Sequence, residues 1–560
     1  MVLKQIRTAV EVYSHLPRYR EIFSVFLKYG FGDMLNIISL QKMLGFKEGT
    51  LPKEEQQVAN KGPAVRFRMA LEELGPTFVK FGQILSTRRD LVDEVLVKEL
   101  RKLQDQVIPF SSAEARKIIE QETECEIGEL FKEFDEKPVA SASMAQVHKA
   151  VLHNGETVAI KCQRPDISQL IQVDLAIMMD IAKLIEKNAE NLATLNPTGI
   201  VKELSKTIWA EQDFTTEARN MERFAKQFQG NKTIRVAFVY PEFTTQRILV
   251  MEFIQGWRID QPAELRAHGV DPVRLSRRAT RLIYQQMFDH GFFHADPHPG
   301  NMAVLENGVI CLYDYGMMGT LTSDFRENIA NLVLGLDKKD QRMVTRALLG
   351  MSESGYVDDM RRLEIDVQVF CENYLTGPLK DLNLGYVLNR LLDVLMQHHI
   401  RMLSDFYLGI KALSQVEDIG RTLNPDLNFV KMGEPYARAV LERKYDVNRF
   451  LKNLYFSFAE GLQLLQDLPI EFKDWYNRVK TGEYNIPLQH HIDPAGFDPM
   501  RNTLNRIANR VSNALVLSSL FISAAILFLA NQETLGWVTF IGALVMASRL
   551  ALAIWKRSGF

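Results

Sequence analysis

Cysteine is scarce in this chain. Four residues in 560, Cys125, Cys162, Cys311 and Cys371, lie far apart with no C-x-x-C pair among them. That pattern excludes a disulfide framework and a cysteine zinc site, and fits a reducing compartment. Charge of one sign is lacking too. A formal net charge of −2 provides no broad basic face, so nucleic acid is not an expected partner. His294 and His298 are four positions apart, but Pro297 and Pro299 break any helix face on which they could share a metal. Met1 to Arg20 holds no continuous apolar segment, includes Glu11 and is followed by Glu21, so neither a secretory signal nor an organelle transit peptide is expected. No internal repeat or low-complexity tract stands out.

What is present suits an α+β chain of several parts. Hydrophobic residues make up 46% and charged residues 24% of the sequence, ordinary values for a folded protein long enough for more than one domain. Residues 1–109 read as a helical N-terminal extension, punctuated by Pro63 and Pro76 and closed at Pro109, with Val65 to Leu74 amphipathic. Residues 110–256 are mixed. Val147 to Val151 and Thr157 to Cys162 read as strands joined through Asn154-Gly155, and Arg247 to Phe253 as another strand. A helical stretch from about Asp166 to Phe228 breaks at Asn196-Pro197. Residues 257–500 read as a helical lobe, helical to about residue 480, with short strands at Met302 to Leu305 and Val309 to Leu312. Residues 501–560 end in two apolar runs, Val511 to Gln532 without a charge and Leu535 to Trp555 broken by Arg549 alone. About 20 apolar residues cross a bilayer, so two transmembrane helices are expected. Arg501, Arg506 and Arg510 before them and Lys556 and Arg557 after them put both ends, and the catalytic body, on the cytoplasmic side.

The most informative stretch is His294-Ala295-Asp296-Pro297-His298-Pro299-Gly300-Asn301, followed by Asp314-Tyr315-Gly316. Asp296 stands five positions before Asn301, the interval of the protein-kinase catalytic loop, and Asp-Tyr-Gly stands where such enzymes carry D-F-G. Phosphoryl transfer has a loose, highly charged transition state. It needs one carboxylate to orient the acceptor, here Asp296, and an amide oxygen with a second carboxylate, Asn301 and Asp314, to hold Mg²⁺ on the phosphates of ATP. Val158-Ala159-Ile160-Lys161 matches V-A-I-K, whose lysine reaches the α/β-phosphates. Glu217 is the candidate partner of Lys161, although 56 positions separate them and a solvated helix glutamate would look the same. Val250 to Gly256 reads as a hinge offering backbone groups to adenine at Glu252 and Ile254, or as a buried strand ending at a glycine.

Two departures count as much as the matches. Where a glycine-rich loop would cover the phosphates, the chain has Ala140-Ser141-Ala142-Ser143. Its Cβ atoms restrict how closely backbone can approach a phosphate, so nucleotide is held in another way. No A-P-E follows Asp314, and the segment that presents a peptide substrate is missing.

With these residues together, the chain resembles the UbiB family of atypical kinase-like proteins over about Leu71 to Gly319, bacterial members also sharing the C-terminal hairpin. The marks are Lys80-Phe81-Gly82-Gln83 (K-x-G-Q), the Ala-rich loop and Glu211-Gln212-Asp213 (E-x-D). The resemblance implies a two-lobed protein-kinase-like fold with the K-x-G-Q segment over the peptide site, pairing Lys80 with Glu211 and Asp213. Taken on spacing alone, Asp213 and Glu217 share a helix face and suit a lysine, a metal or a solvated surface. The resemblance further implies ATP and Mg²⁺ as cofactors, and ATPase activity in preference to protein phosphorylation. Its implied setting is the bacterial inner membrane, in support of ubiquinone or related isoprenoid-quinone biosynthesis. Expected partners are membrane lipids, prenylated quinone precursors and quinone-biosynthesis enzymes, and a homodimer is compatible with it. A nucleotide-regulated scaffold or lipid-extraction protein, and a genuine protein or small-molecule kinase, are the alternatives.

Overall fold

The structure is a computed structural model. It describes residues 2–32, 61–444 and 516–557, apart from 87, 89–90, 104–108, 143, 189–195, 354–356, 358, 375–382, 517, 528 and 530–531. The chain forms two compact units, Met1–Asn453 and Leu454–Phe560.

In the first unit, helix α1 (Val2–Lys28) is followed by α2 (Pro63–Leu74) and α3 (Pro76–Leu85). Gly75, at φ +97°, separates α2 from α3. That left-handed turn favours glycine, and Pro76 at the first helical position restarts the chain because its missing N–H has no partner to lose there.

Strands β1 (Phe131–Phe134), β2 (Ala140–Ser141), β3 (Ala145–Leu152), β4 (Thr157–Gln163) and β6 (Ile248–Glu252) form a five-stranded sheet in the order β1-β3-β4-β6, with β2 paired to β3. The β3–β4 hairpin turns at Gly155, φ +90°, and the Asn154 side chain accepts the Glu156 N–H there, as Asn-Gly predicts. Helices α4 (Ile167–Asn188), α5 (Pro197–Gln212) and α6 (Phe214–Gln227) connect β4 to the rest of the sheet.

The core divides in an unexpected way. Ile171, Leu175, Leu204 and Ile208 of α4 and α5 are buried in one cluster with Tyr19, Ile22, Leu71 and Phe78 of the N-terminal helices. The helical insert of residues 110–256 therefore packs with the extension. A separate cluster lies behind the sheet, between Val158 and Ile160 and the helix Ser112–Thr123.

Strands β5 (Ile234–Arg235), β7 (Trp257–Arg258), β9 (Met302–Val304) and β10 (Ile310–Leu312) make a second sheet, and β8 (Phe292–His294) pairs antiparallel with β11 (Met318–Thr320). Helices follow from Ser323, including α7 (Leu384–Gln397) and α8 (Ser404–Leu423), and the last described helix of this unit ends at Lys444. The helical expectation from 445 to about 480 lies outside the described residues.

In the second unit, a helix Glu533–Arg557 covers the second apolar run, and residues 518–527 of the first are helical. Arg501, Arg506 and Arg510 lie outside the described residues. Among the described residues no helix is long and apolar enough to cross a membrane. The two crossings expected from hydropathy are thus not matched there.

Candidate active site

Lys161 sits on β4, opposite Val147 of β3 and Leu249 of β6. Its Nζ donates to both carboxylate oxygens of Glu217, at 3.0 and 2.8 Å, lies 3.6 Å from Asp314 and rides 5.3 Å over the Phe214 ring. The pair forms across 56 positions because Asp213 breaks the helical stretch. Asp213 is extended, φ −97° and ψ 96°, and closes α5 while its side chain accepts from the N–H (3.0 Å) and hydroxyl (2.7 Å) of Thr215. An aspartate at this position satisfies orphan donors of the new helix, and Glu217 then falls in the first turn of α6, buried. Asp213 and Glu217 consequently do not share one continuous helix face, contrary to the spacing. Glu211, in the last turn of α5, pairs with Lys80 of α3 at 2.6 Å. On the same helix Gly82 packs against the side chains of Leu71, Leu100 and Leu103, which an added Cβ would crowd.

The three neighbouring charges, of which only Glu217 is fully buried, order themselves. Burial works against the Lys161 cation, but the Asp314 and Glu217 carboxylates outweigh it and hold the amine above its ordinary value. Burial also opposes the Asp314 carboxylate, yet Lys161 and the Gly316 N–H, donating at 2.8 Å, keep it well below the usual range. Glu217 moves the other way, pushed up to about 7, first by burial and then by Asp314 against the pull of Lys161. Of the two carboxylates beside one cation, Asp314 keeps its charge and Glu217 takes up a proton first.

His294 ends β8 and bridges both motif segments: its Nε2 lies 2.5 Å from the Asp314 carbonyl oxygen and its Nδ1 accepts the Asp296 N–H at 3.1 Å. A carbonyl can only accept, so Nε2 carries the hydrogen. The Asn301 amide nitrogen approaches the Asp296 carbonyl at 3.4 Å, which leaves the Asn301 amide oxygen for a cation. Tyr315 is fully buried, its N–H donating to Glu217 at 3.2 Å and its carbonyl accepting from Asn220 at 2.9 Å. Only a few residues separate Gly316 from β11 and the helix at Ser323, so the missing A-P-E corresponds to a very short segment.

Of the Ala-rich loop, Ala140 to Ala142 are tied to β3. Ala142 donates its N–H to the Ala145 carbonyl at 2.8 Å, and β2 pairs Ala140 with Val147 and Ser141 with Gln146. The Ala142 N–H is thus already committed, unlike the open N–H cradle of a glycine loop. Ser143 lies outside the described residues. In the segment read as a hinge, Glu252 turns its side chain to Arg235 (2.7 Å) and the Phe238 N–H (3.2 Å), and its own N–H donates to the Phe238 carbonyl. Ile254 follows β6, half-buried, just before Gly256, where a Cβ would meet the Val304 carbonyl at 2.9 Å.

A cavity of about 1100 Å³ is lined among others by Lys80, Ala140, Ser141, Asp296, Lys411 and Gln415, and so brings the Lys80 segment and the Ala-rich loop to the proposed base. Lys411 and Gln415 had no role in the sequence. Both lie on α8 and meet one oxygen of Asp296, Lys411 at 3.1 Å and Gln415 at 2.7 Å. Their one sequence signal is spacing: four apart, they share a helix face. Among the described residues no three His, Cys, Asp or Glu are grouped to hold a metal by themselves.

Residues 102–348 match the ABC1 atypical kinase-like domain, 367–428 the UbiB helical domain and 495–556 the ABC1/UbiB kinase-like C-terminal domain. The chain is 32% identical over 523 residues to a probable protein kinase UbiB of Xylella fastidiosa, covering 92% of this chain and 93% of that one. It belongs to the ABC1/UbiB family of atypical kinase-like proteins. An uncharacterized Synechocystis protein is 31% identical over 512 residues, 91% of this chain and 86% of that one. The chloroplastic protein ACTIVITY OF BC1 COMPLEX KINASE 7 of Arabidopsis thaliana is 35% identical over 479 residues, 85% of this chain and 66% of that one. The ABC1 domain contains Lys161, Glu217, Asp296, Asn301 and Asp314, whereas Lys411 and Gln415 fall in the UbiB helical domain. The fold is kinase-like, with helical and sheet parts.

Proposed function

We propose that this ABC1/UbiB protein binds ATP with Mg²⁺ and hydrolyses it, in support of ubiquinone or related isoprenoid-quinone biosynthesis at a membrane. The observation that carries the reading is the Lys161–Glu217 ion pair beside Asp314, together with Lys80, held by Glu211, on the cavity that also exposes Asp296. The first arrangement suits ATP phosphates, and the second occupies space that a protein substrate would need. The residues fit the metal: Asp314 stays ionised and Asn301 keeps an amide oxygen, the donor types a hard cation prefers. Bound Mg²⁺ would neutralise charge on the phosphates. Lys161 would grip the α/β-phosphates, and Glu217 would hold Lys161 in place. Ala140, Ser141, Ala142 and Ser143 would cover the nucleotide, with the Glu252–Ile254 segment against adenine. Asp296 would take the proton of the attacking water as its oxygen bonds to the γ-phosphorus and the bond to the β–γ bridging oxygen breaks, releasing ADP.

Membrane attachment through the second unit is part of the proposal, with the catalytic body facing the cytoplasm at the bacterial inner membrane. Small residues Ala524 and Ala543 are buried, Phe521 and Phe540 meet edge to face at 5.8 Å, and Leu529, Leu535, Trp537, Val538, Ile541 and Leu544 are exposed. Small residues inward and large apolar ones outward suit lipid better than water. Prenylated quinone precursors and quinone-biosynthesis enzymes are the proposed partners.

The test measures phosphate release and phosphorylation of generic protein substrates by the full chain in detergent micelles, with and without Mg²⁺. Mg²⁺-dependent phosphate release that is lost in Asp314→Asn is expected. Robust protein phosphorylation unaffected by Lys80→Ala would overturn the ATPase reading.

A further inference from the structure

Asp296 is held from outside the kinase-like domain. The loop that carries it, His294 to Asn301, has no lysine or arginine. Its carboxylate instead receives Lys411 Nζ at 3.1 Å and Gln415 Nε2 at 2.7 Å, both on α8 and both on the same oxygen. The contacts span 119 positions for Gln415. They leave the second carboxylate oxygen for the proton of an acceptor.

Gln415 pays for this contact in an unusual way, because its Oε1 is buried without a hydrogen-bond partner among the described residues. An orphaned buried acceptor is unfavourable, and an apolar side chain of similar size would avoid it. Fold stability therefore gives no reason for glutamine at this position, whereas a donor aimed at Asp296 does. Lys411 adds charge at the same oxygen and lies on the wall of the 1100 Å³ cavity. The N-terminus of α7, which flanks α8, is itself fixed by α8: Glu417 accepts the N–H groups of Leu384 at 3.0 Å and Gly385 at 3.1 Å and pairs with Arg421. The α7–α8 pair is a rigid mount for the two donors.

We propose that Lys411 and Gln415 are positioning residues for Asp296, so that the helical domain, and not the catalytic loop alone, sets the orientation of the carboxylate toward the attacking water. The inference rests on the ATPase reading of the site.

The experiment compares full-chain Gln415→Leu, Lys411→Met and Lys411→Arg with the unmodified protein. It records kcat for phosphate release, the Kd for Mg-ATP and the thermal unfolding midpoint. Gln415→Leu should keep the unfolding midpoint or raise it and hold the Kd within about twofold, while kcat falls tenfold or more. Lys411→Met should lose kcat similarly, and Lys411→Arg should recover most of it. A wild-type kcat in Gln415→Leu and Lys411→Met would overturn the inference and leave the ATPase reading standing. So would a kcat loss matched by an equal loss of stability or nucleotide affinity. Absence of phosphate release from the unmodified protein would overturn the ATPase reading itself. A thermal double-mutant cycle between Asp296→Asn and Gln415→Leu reports the contact without turnover, and strictly additive effects there would also overturn the inference.

Discussion

The Nε2 of His294 donates to the carbonyl oxygen of Asp314 at 2.5 Å, and the same ring accepts the Asp296 N–H on Nδ1. One buried imidazole thus ties the loop carrying the proposed base to the segment carrying the proposed metal ligand. Burial lowers its pKa, and the neutral tautomer is the form that makes both bonds. Replacing His294 with leucine would orphan two backbone groups, each costing about 1–3 kcal/mol when buried. His294→Leu should therefore lose roughly 2–6 kcal/mol of stability in urea unfolding. A loss under about 1 kcal/mol would show that the ring is not a bridge.

Tyr315 stands where kinases carry phenylalanine, with a hydroxyl that is buried and unpaired among the described residues. Its ring packs edge-on against Phe224 at 5.3 Å. Tyr315→Phe keeps this packing and removes the orphan, so the melting temperature should rise, by about 1 kcal/mol of stability. A clear drop would mean that the hydroxyl has a partner in solution.

His148 predicts a pH dependence. Its Nδ1–H donates to the Asp135 carbonyl at 2.9 Å and its Nε2 accepts from Gln146 at 2.8 Å. Burial, opposed by the Asp135 contact, lowers its pKa below the ordinary 6.5. The unfolded chain then binds the proton more readily than the folded one. The stability contribution is full above pH 6.5 and falls as pH drops through that value toward the folded pKa. Urea midpoints at pH 7.5 and 5.5 should diverge less in His148→Gln than in the unmodified protein. An equal divergence would assign the slope to other groups.

Gly82 should resist enlargement. Gly82→Val would press into Leu71, Leu100 and Leu103, destabilise by about 1–3 kcal/mol and shift α3, loosening Lys80 from Glu211. Faster limited proteolysis of the extension relative to the unmodified chain would report the shift. Wild-type proteolysis and stability would argue that α3 has more room than its packing shows.

Much of the site was legible because its chemistry lies in short intervals. Asp296, Asn301 and Asp314 are linked by a loop and two brief strands, and Lys161 by a hairpin with an Asn-Gly turn, all local signals. Glu217 could be named as a candidate but not secured, because its meeting with Lys161 depends on a helix break at Asp213 that spacing alone hides. Asp213 carried the wrong expectation for the same reason: a cap and a mid-helix acid look alike in sequence. The Ala-rich loop was recognisable as different, yet the commitment of the Ala142 N–H to Ala145 depends on hairpin register. Lys411 and Gln415 were invisible, since nothing local relates α8 to a loop more than a hundred residues earlier. The apolar runs near the C-terminus were legible as hydropathy, while among the described residues no helix is long and apolar enough to cross a membrane.

The shared core of α1–α3 with α4 and α5 has a consequence for biosynthesis. The ribosome completes α3 at Leu85 and does not reach the start of its packing partner α4, Ile167, until 82 residues later. At about 5–20 residues per second, that interval lasts on the order of 4–16 s. Throughout it, Leu71, Leu74 and Phe78 have no α4 or α5 to cover them, so the nascent chain offers a chaperone an apolar surface well before the kinase-like domain exists.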